Sequence, residues 1–304
     1  MSPVFDTDFD PCYGELVRVS PLLRRMVARN PSKYTFRGSG TYVVGHGRVA
    51  VVDPGPADPT HVDGLAAALA GEDVAVILVT HTHADHSPGA RRLAELTGAS
   101  VLGYGPHPPD AKGEGVDDDD GEDGMDVDFV PDDRLDHRDV VTGPGWTLEA
   151  LHTPGHISNH LCFALSEERA VLTGDHVMGW STTVISPPDG DLAAYLRSLE
   201  LLLGRDDQIL YPTHGGPRPD VKEYVTELHA HRLDREQQII GQLGLGPRTP
   251  EEIVAVLYAD VREELHKPAA RSVLAHLRKL LVEERAATVD DADPMKPETL
   301  WGPG

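Results

Sequence analysis

The chain has 304 residues, a formal net charge of −23, and 39% hydrophobic but only 5% aromatic residues. That length allows one large domain with a sizeable core and a small second one, while the acidic balance excludes a generally adhesive binder of nucleic acid or acidic membranes, which would need clustered Lys and Arg. Cys12 and Cys162 are too few and too isolated for a disulfide framework, the acidic start "MSPVFDTDFDPCYG" lacks the basic-then-apolar order of a secretory signal, and no apolar run reaches the ~18–20 residues of a membrane helix. A soluble cytoplasmic enzyme is the expectation.

Two strand-like runs, "GTYVVGHG" from Gly40 and "VAVVDPGP" from Val49, are joined by a Gly-rich turn and predict a hairpin that opens the fold. "HVDGLAAALA" then predicts a helix, and the β-branched run "VAVILVT", Val74 to Thr80, a buried strand. "SPGARRLAELTG" predicts a helix ending at Gly98, and "SVLGYG" the next strand; this alternation argues an α/β architecture. From about residue 106 to 139 the pattern lapses, and its Asp-rich centre, Gly115 to Asp128, carries too much like charge to fold alone, so a solvated, mobile insertion is expected. "DDDDGED" lacks the spaced ligands and closing Glu of a calcium-binding EF-hand loop.

Beyond the insertion, "WTLEALHTPGH", "LCFALSEERAVLTGDHV" and "DQILYPTHGG" each lead from a strand-like run into a polar turn holding His or Asp. Between the last two, "LAAYLRSLELLLG" predicts a helix with Leu192, Leu196, Leu199 and Leu203 on its apolar side. The tail changes character near Asp220, dividing the chain into residues 1–219 and 220–304. A long amphipathic helix comes first, then "TPEEIVAVLY" with Thr249 as N-cap and Pro250 in the first turn, then "PAARSVLAHLRKLLVEER" and "AATVD". That is the order of a winged-helix module.

The chemistry is concentrated in "HTHADH", His81 to His86. If the strand continues into it, His81 and His83 share a face and can share an ion, while Asp85 and His86 reach a neighbouring position as the chain turns into the next helix. Zinc accepts imidazole nitrogen and carboxylate oxygen at roughly 2.0–2.2 Å, and three protein ligands leave a position open for water. Six residues cannot close two such sites, so further ligands are required; His156 in "TPGH", Asp175 in "TGDH" and His214 in "YPTHGG" stand at later strand ends beside Gly155, Gly174 and Gly215, glycines that permit the backbone turns a metal loop needs. His160 and His176 flank these positions and are expected to support the site rather than react; Tyr211 either points its hydroxyl into the pocket or anchors packing.

With these segments in this order, the region from Gly40 to Gly216 resembles the metallo-β-lactamase superfamily. The resemblance implies an αββα sandwich with a dinuclear site at one edge of its sheets. It implies that His81, His83 and His156 hold the first metal, that Asp85, His86 and His214 hold the second, and that Asp175 bridges them. Asp53 in "VVDPG" would stand behind the ligands and orient them. "GDHVMGWSTTVI", "HRLDREQQI" and the winged helix are similar to the lactamase-beta-2-like branch, which includes a single-strand-specific endoribonuclease and fungal acyl-carrier-protein thioesterases, so the branch does not fix a substrate.

The mechanism implied is hydrolysis by a hydroxide held between two zinc ions, for which iron or manganese could substitute, with Asp85 also taking the proton of the attacking water. The best-fitting substrate is a small acyl compound: an ester, thioester or lactam. The alternatives are single-stranded RNA cleavage and a metal-containing DNA-binding sensor. Arg262, Lys267, Arg271, Arg278, Lys279 and Arg285 could offer the tail a basic face, but Glu251, Glu252, Glu263, Glu264, Glu283 and Glu284 lie among them.

Overall fold

The computed structural model describes residues 3–107 and 124–304. Among them, a first sheet runs in the order β1 (Val17–Arg18), β2 (Leu23–Val27), β3 (Gly40–Val44), β4 (Arg48–Val52), β5 (Asp73–Leu78), β6 (Ser100–Gly103), β7 (Asp133–Arg134). The second sheet runs β12 (Ile209–Pro212), β11 (Ala170–Gly174), β10 (Leu161–Leu165), β9 (Trp146–His152), β8 (Val140–Gly143). The expected hairpin is β3 and β4, but β1 and β2 precede it. The segment "LCFALSEERAVLTGD" is two antiparallel strands, β10 and β11, because a short 3-10 turn and Arg169 in the left-handed region (φ 50°) reverse the chain between them.

Strand alternation sorts the side chains into layers. Tyr42, Val44, Val52 and Leu78 point inward from the first sheet and meet Trp146, Leu148, Phe163 and Leu172 of the second. The opposite faces are covered by helices. Val43, Val51 and Ile77 pack on α1 (Pro59–Ala68) and α2 (Gly89–Thr97), and Cys162, Ala164 and Val171 pack on α3 (Leu192–Leu203) and the start of α4 (Val221–Leu243). This is the αββα sandwich.

The C-terminal core is built from Ile239 and Leu243 of α4, α5 (Pro250–Leu257), α6 (His266–Val282) and the wing formed by β13 (Ala286–Thr288) and β14 (Trp301–Pro303). Thr249 caps α5 in a full capping box with Glu252. Helix α4 starts one residue after Asp220, and Val221, Tyr224, Val225 and Leu228 pack on the sandwich, so this one helix runs through both cores. No helix among the described residues is long and apolar enough to cross a membrane.

Of the stretch expected to be solvated and mobile, Gly115 to Asp128, residues 124–128 are described, and these are paired to the protein, as is the chain that follows them to residue 139. Phe129 and Leu135 are buried, and β7 extends the first sheet alongside β6. The segment also pairs with the histidine-rich turn: Ala84 N–H donates to Gly124 O (2.7 Å) and Asp126 N–H to Thr82 O (2.8 Å). Backbone pairing and two apolar anchors outweigh the local charge there. The acidic run of residues 117–123 lies outside the described residues.

Candidate metal centre

The sequence-predicted ligands converge at one edge of the sandwich. Asp53 follows β4, His81 to His86 follow β5, His156 follows β9, Asp175 follows β11 and His214 follows β12. The strand expected to run to Thr80 ends at Leu78, so His81 lies in irregular backbone beyond it and His83 in an isolated antiparallel bridge to Met125, just before the turn. They converge regardless: His81 Nε2 lies 2.8 Å from His83 Nδ1, and His156 Nε2 lies 2.9 Å from the same atom.

The outward hydrogen bonds fix where the ring protons are. The Thr80 hydroxyl donates to Asp53 Oδ2 (2.7 Å), so its oxygen must accept from His81 Nδ1–H (3.0 Å), leaving His81 Nε2 as a bare lone pair. His156 Nδ1–H donates to Val184 O (2.6 Å), which leaves its Nε2 bare as well. Both lone pairs face one His83 nitrogen, which carries at most one proton. Those three donors, with Asp175, lie within 4.8 Å of one another, the arrangement expected of a cation site.

The second group follows the same logic. His86 Nδ1–H donates to Asp53 Oδ2 (2.9 Å) and His214 Nδ1–H to Gly38 O (3.2 Å), so both Nε2 atoms turn inward. His86 Nε2 stands 3.3 Å from Asp85 Oδ2 and 3.5 Å from Asp175 Oδ1; His214 Nε2 is 3.3 Å from each. Asp175 Oδ2 faces the first group, 3.8 Å from His156 Nε2. Its two oxygens therefore look in opposite directions. His86 Nε2 and Asp175 Oδ1 are buried without a hydrogen-bond partner among the described residues, a costly arrangement that bound cations would relieve. The donors present fit a pair of metal ions.

Electrostatics divides the groups. Burial, then the neighbouring imidazole of His156, pushes His83 down to about 3, and burial with His86 and His83 holds His81 well below the usual histidine range. For His214 burial opposes the charge, but Asp175 and Asp85 prevail and carry its pKa to about 10; His86 is raised by Asp85, Asp175 and Asp53 against the same burial. The negative charge that attracts those protons is what divalent cations would neutralise.

Several supporting residues were absent from the sequence reading. The Ser39 hydroxyl donates to Asp85 Oδ2 (2.6 Å), and Asn30 Nδ2 donates to Ser39 Oγ (3.0 Å). Single hydroxyls and backbone carbonyls such as Gly38 O and Val184 O carry no signature by which to find them. Both ring nitrogens of His160 are engaged within the protein: Nε2 accepts Asp175 N–H (3.2 Å) while Nδ1 pairs with Thr153 Oγ1 (2.9 Å). Gly174 makes that contact possible, with φ +51° and a site where a Cβ would come 2.7 Å from His160 Nε2. His176 is buried against Tyr195, and Tyr211 packs into the inter-sheet core against Tyr42. A recess lined by Tyr34, Thr35, Met178, Thr183 and Val184 opens onto His83, Asp85, His156, Asp175 and His214.

A four-layer αββα sandwich with this cluster at its edge defines a metal-dependent hydrolase. The chain belongs to the metallo-beta-lactamase superfamily, whose family model matches residues 34–214, and a beta-lactamase associated winged helix domain matches residues 249–295. It is 32% identical, over 94% of both chains, to a protein of Aspergillus chevalieri named atrochrysone carboxyl ACP thioesterase. Among solved structures it is similar to a metallo-beta-lactamase family protein of Thermus thermophilus (TM-score 0.73, 25% identity, 94% of this chain and 100% of that one). The fold also matches a beta-lactamase domain protein of Burkholderia ambifaria (TM-score 0.79, 20% identity, 98% and 96% covered).

Proposed function

We propose that the chain is a dinuclear zinc hydrolase of acyl thioesters, with a carrier-bound acyl group as its substrate class. The observation that carries the reading is Asp175, whose Oδ1 faces His86 and His214 and whose Oδ2 faces His156, so that one carboxylate stands between the two groups of converging ligand atoms. The thioester class is supported by the thioesterase name of a relative that aligns over 94% of both chains. His81, His83 and His156 would hold one ion, and Asp85, His86 and His214 the other. Bound there, the ions would supply a water of pKa about 7 and polarise the acyl carbonyl.

The chain's own residues do the rest. Ser39 orients Asp85 so that the carboxylate faces the space between the groups. Asp85 takes the proton of the attacking water. It passes that proton on to the departing thiolate. Asp85→Asn is expected to bind metal more weakly and to lose turnover by more than its metal loss explains; full turnover with two metals bound would refute the proton role. The net charge of −23 disfavours long anionic substrates.

The test is metal content together with turnover of an acyl-pantetheine thioester, a chromogenic lactam and a single-stranded RNA oligomer, each repeated on His83→Ala. Two zinc equivalents with thioester turnover that His83→Ala abolishes is the expected result. RNA cleavage lost in the same variant would replace the reading with a nuclease, and failure to bind metal on reconstitution would overturn it.

A further inference from the structure

The wall of the recess formed by Met178, Thr183 and Val184 belongs to an irregular segment running from Met178 to Pro188, without helix or strand. A segment of this kind must find partners for its backbone carbonyls outside regular structure. Three come from the C-terminal helices. The Tyr224 hydroxyl donates to Met178 O (2.7 Å), Arg232 Nη2 donates to Thr183 O, and Arg278 Nη1 makes a longer bond to Pro188 O (3.4 Å). Arg232 is buried, its guanidinium 5.4 Å from the ring of Tyr195.

The same segment is attached to the donors. Val184 O is the acceptor that sets the tautomer of His156, and the Thr183 hydroxyl donates to Asp175 O. Hydrogen bonds therefore link α4, through the adjacent residues Thr183 and Val184, to the ring of His156 and to the backbone carbonyl of Asp175, two residues of the first metal group. We propose that the C-terminal unit acts as a clamp on the site: Arg232, with Tyr224 and Arg278, fixes the 178–188 segment and thereby both the orientation of His156 and the wall against which the acyl group lies. Arg232 is a positioning residue, and this role rests on the metal-site and thioester reading given above.

Zinc affinity, measured by competition with a colorimetric chelator, and kcat and KM for an acetyl and a bulky aromatic acyl-pantetheine thioester test the clamp. Arg232→Ala is expected to weaken zinc binding about 10- to 100-fold, as loss of a ligand's orienting partner does, and to raise KM for the bulky acyl group more than for acetyl. Arg232→Lys, which keeps a donor, is expected to recover most of the zinc affinity. Tyr224→Phe, which removes one neutral hydrogen bond, is expected to raise KM for the bulky substrate about fivefold with zinc binding intact. Wild-type zinc affinity and an unchanged ratio of KM values in Arg232→Ala would overturn the clamp. Should that variant fail to fold by circular dichroism, wild-type behaviour of both Arg232→Lys and Tyr224→Phe would overturn it instead. A wild-type protein that binds no zinc or turns over neither thioester refutes the parent reading, an outcome separate from these.

Discussion

Asp53→Asn is the perturbation that separates the ligands from what holds them. Asp53 is 1% exposed and touches no inward-facing donor atom. Its Oδ1 accepts Thr80 N–H (2.8 Å), while Oδ2 accepts the Thr80 hydroxyl (2.7 Å), His86 Nδ1–H (2.9 Å) and, at longer range, the Thr213 hydroxyl (3.3 Å). An amide supplies one oxygen and one NH2, so whichever way it turns, an N–H faces an N–H. One buried donor is then orphaned, at about 1–3 kcal/mol, and the bonds that remain lose their charge, at about 1–2 kcal/mol more. The sum, about 2–5 kcal/mol, is less than a typical folding stability of about 5–15 kcal/mol, so the variant is expected to fold with an apo Tm lowered by about 10 °C. The released imidazole of His86 can place its proton on Nε2, the atom meant for the metal, and zinc affinity at the second group is expected to fall about 10- to 100-fold. Thermal unfolding of the metal-free protein and chelator competition measure the two effects. An Asp53→Asn protein that keeps its apo Tm and binds the second zinc within threefold of wild type would refute the reasoning. Thr213→Val, which removes only the 3.3 Å bond, is the control expected to change little.

Three further outcomes follow from buried groups elsewhere. Glu236, 2% exposed, bonds Lys279 Nζ and Arg285 Nη1, each at 2.7 Å; Glu236→Ala removes two charge-assisted bonds and leaves Lys279 to Glu283 alone, which should cost about 1–3 kcal/mol by urea unfolding, and a midpoint equal to wild type would count against it. His61 is pushed down to about 4 by burial, against the small raising effect of Asp58. Its folded pKa lies below the ordinary value of 6.5, so the stability it allows is present above pH 6.5 and lost as pH falls toward 4; His61→Gln should lose about 2 kcal/mol less than wild type between pH 7.5 and 5, and parallel losses would sink this account. Cys162 is fully buried with its thiol pushed up to about 12 by burial, whereas Cys12 is partly exposed. A thiol reagent should therefore titrate one cysteine in the native protein and two after denaturation, and rapid native labelling of both would contradict the burial.

The donor set was legible because metal chemistry is written in residue type: His81, His83, Asp85, His86, His156, Asp175 and His214 are all drawn together. Strand ends brought them there, and Gly155, Gly174 and Gly215 all take positive φ values, as the turns behind His156, Asp175 and His214 require. What escaped was written in contacts. Strand β2 reads "LRRMV", and its two arginines mask a strand because neither behaves as a solvated charge: Arg24 pairs with Glu72, and Arg25 is buried, bonds Gly215 O and lies over Phe9. The end of the acidic stretch was misjudged for the same reason, since Phe129 and a backbone pairing with the histidine turn decide its fate rather than its charge. Nor does the sequence say that His83 would offer Nδ1 where His81 and His156 offer Nε2; for His81 and His156 that choice belongs to the hydrogen bonds their Nδ1 atoms make with Thr80 and Val184.

The C-terminal helices pose the same problem at the level of function, because a winged helix and six Lys or Arg residues read as a phosphate-binding face. Binding to a polyanion draws its free energy from cations available to displace counterions, and here several cations are already bonded to groups of the protein itself. Lys279 and Arg285 are held by Glu236 and Glu283, Arg278 reaches Pro188 O, and two arginines of α4 are likewise engaged, Arg232 on Thr183 O and Arg235 on Leu257 O. Each bond of this kind would have to be broken, at its own cost, before the side chain could meet a phosphate. Arg278, Lys279 and Arg285, three of the six, therefore help to fasten the unit together and to the sandwich, and the loss of any one of these engaged cations should register in stability, metal affinity or acyl selectivity before it registers in the affinity for a nucleic acid.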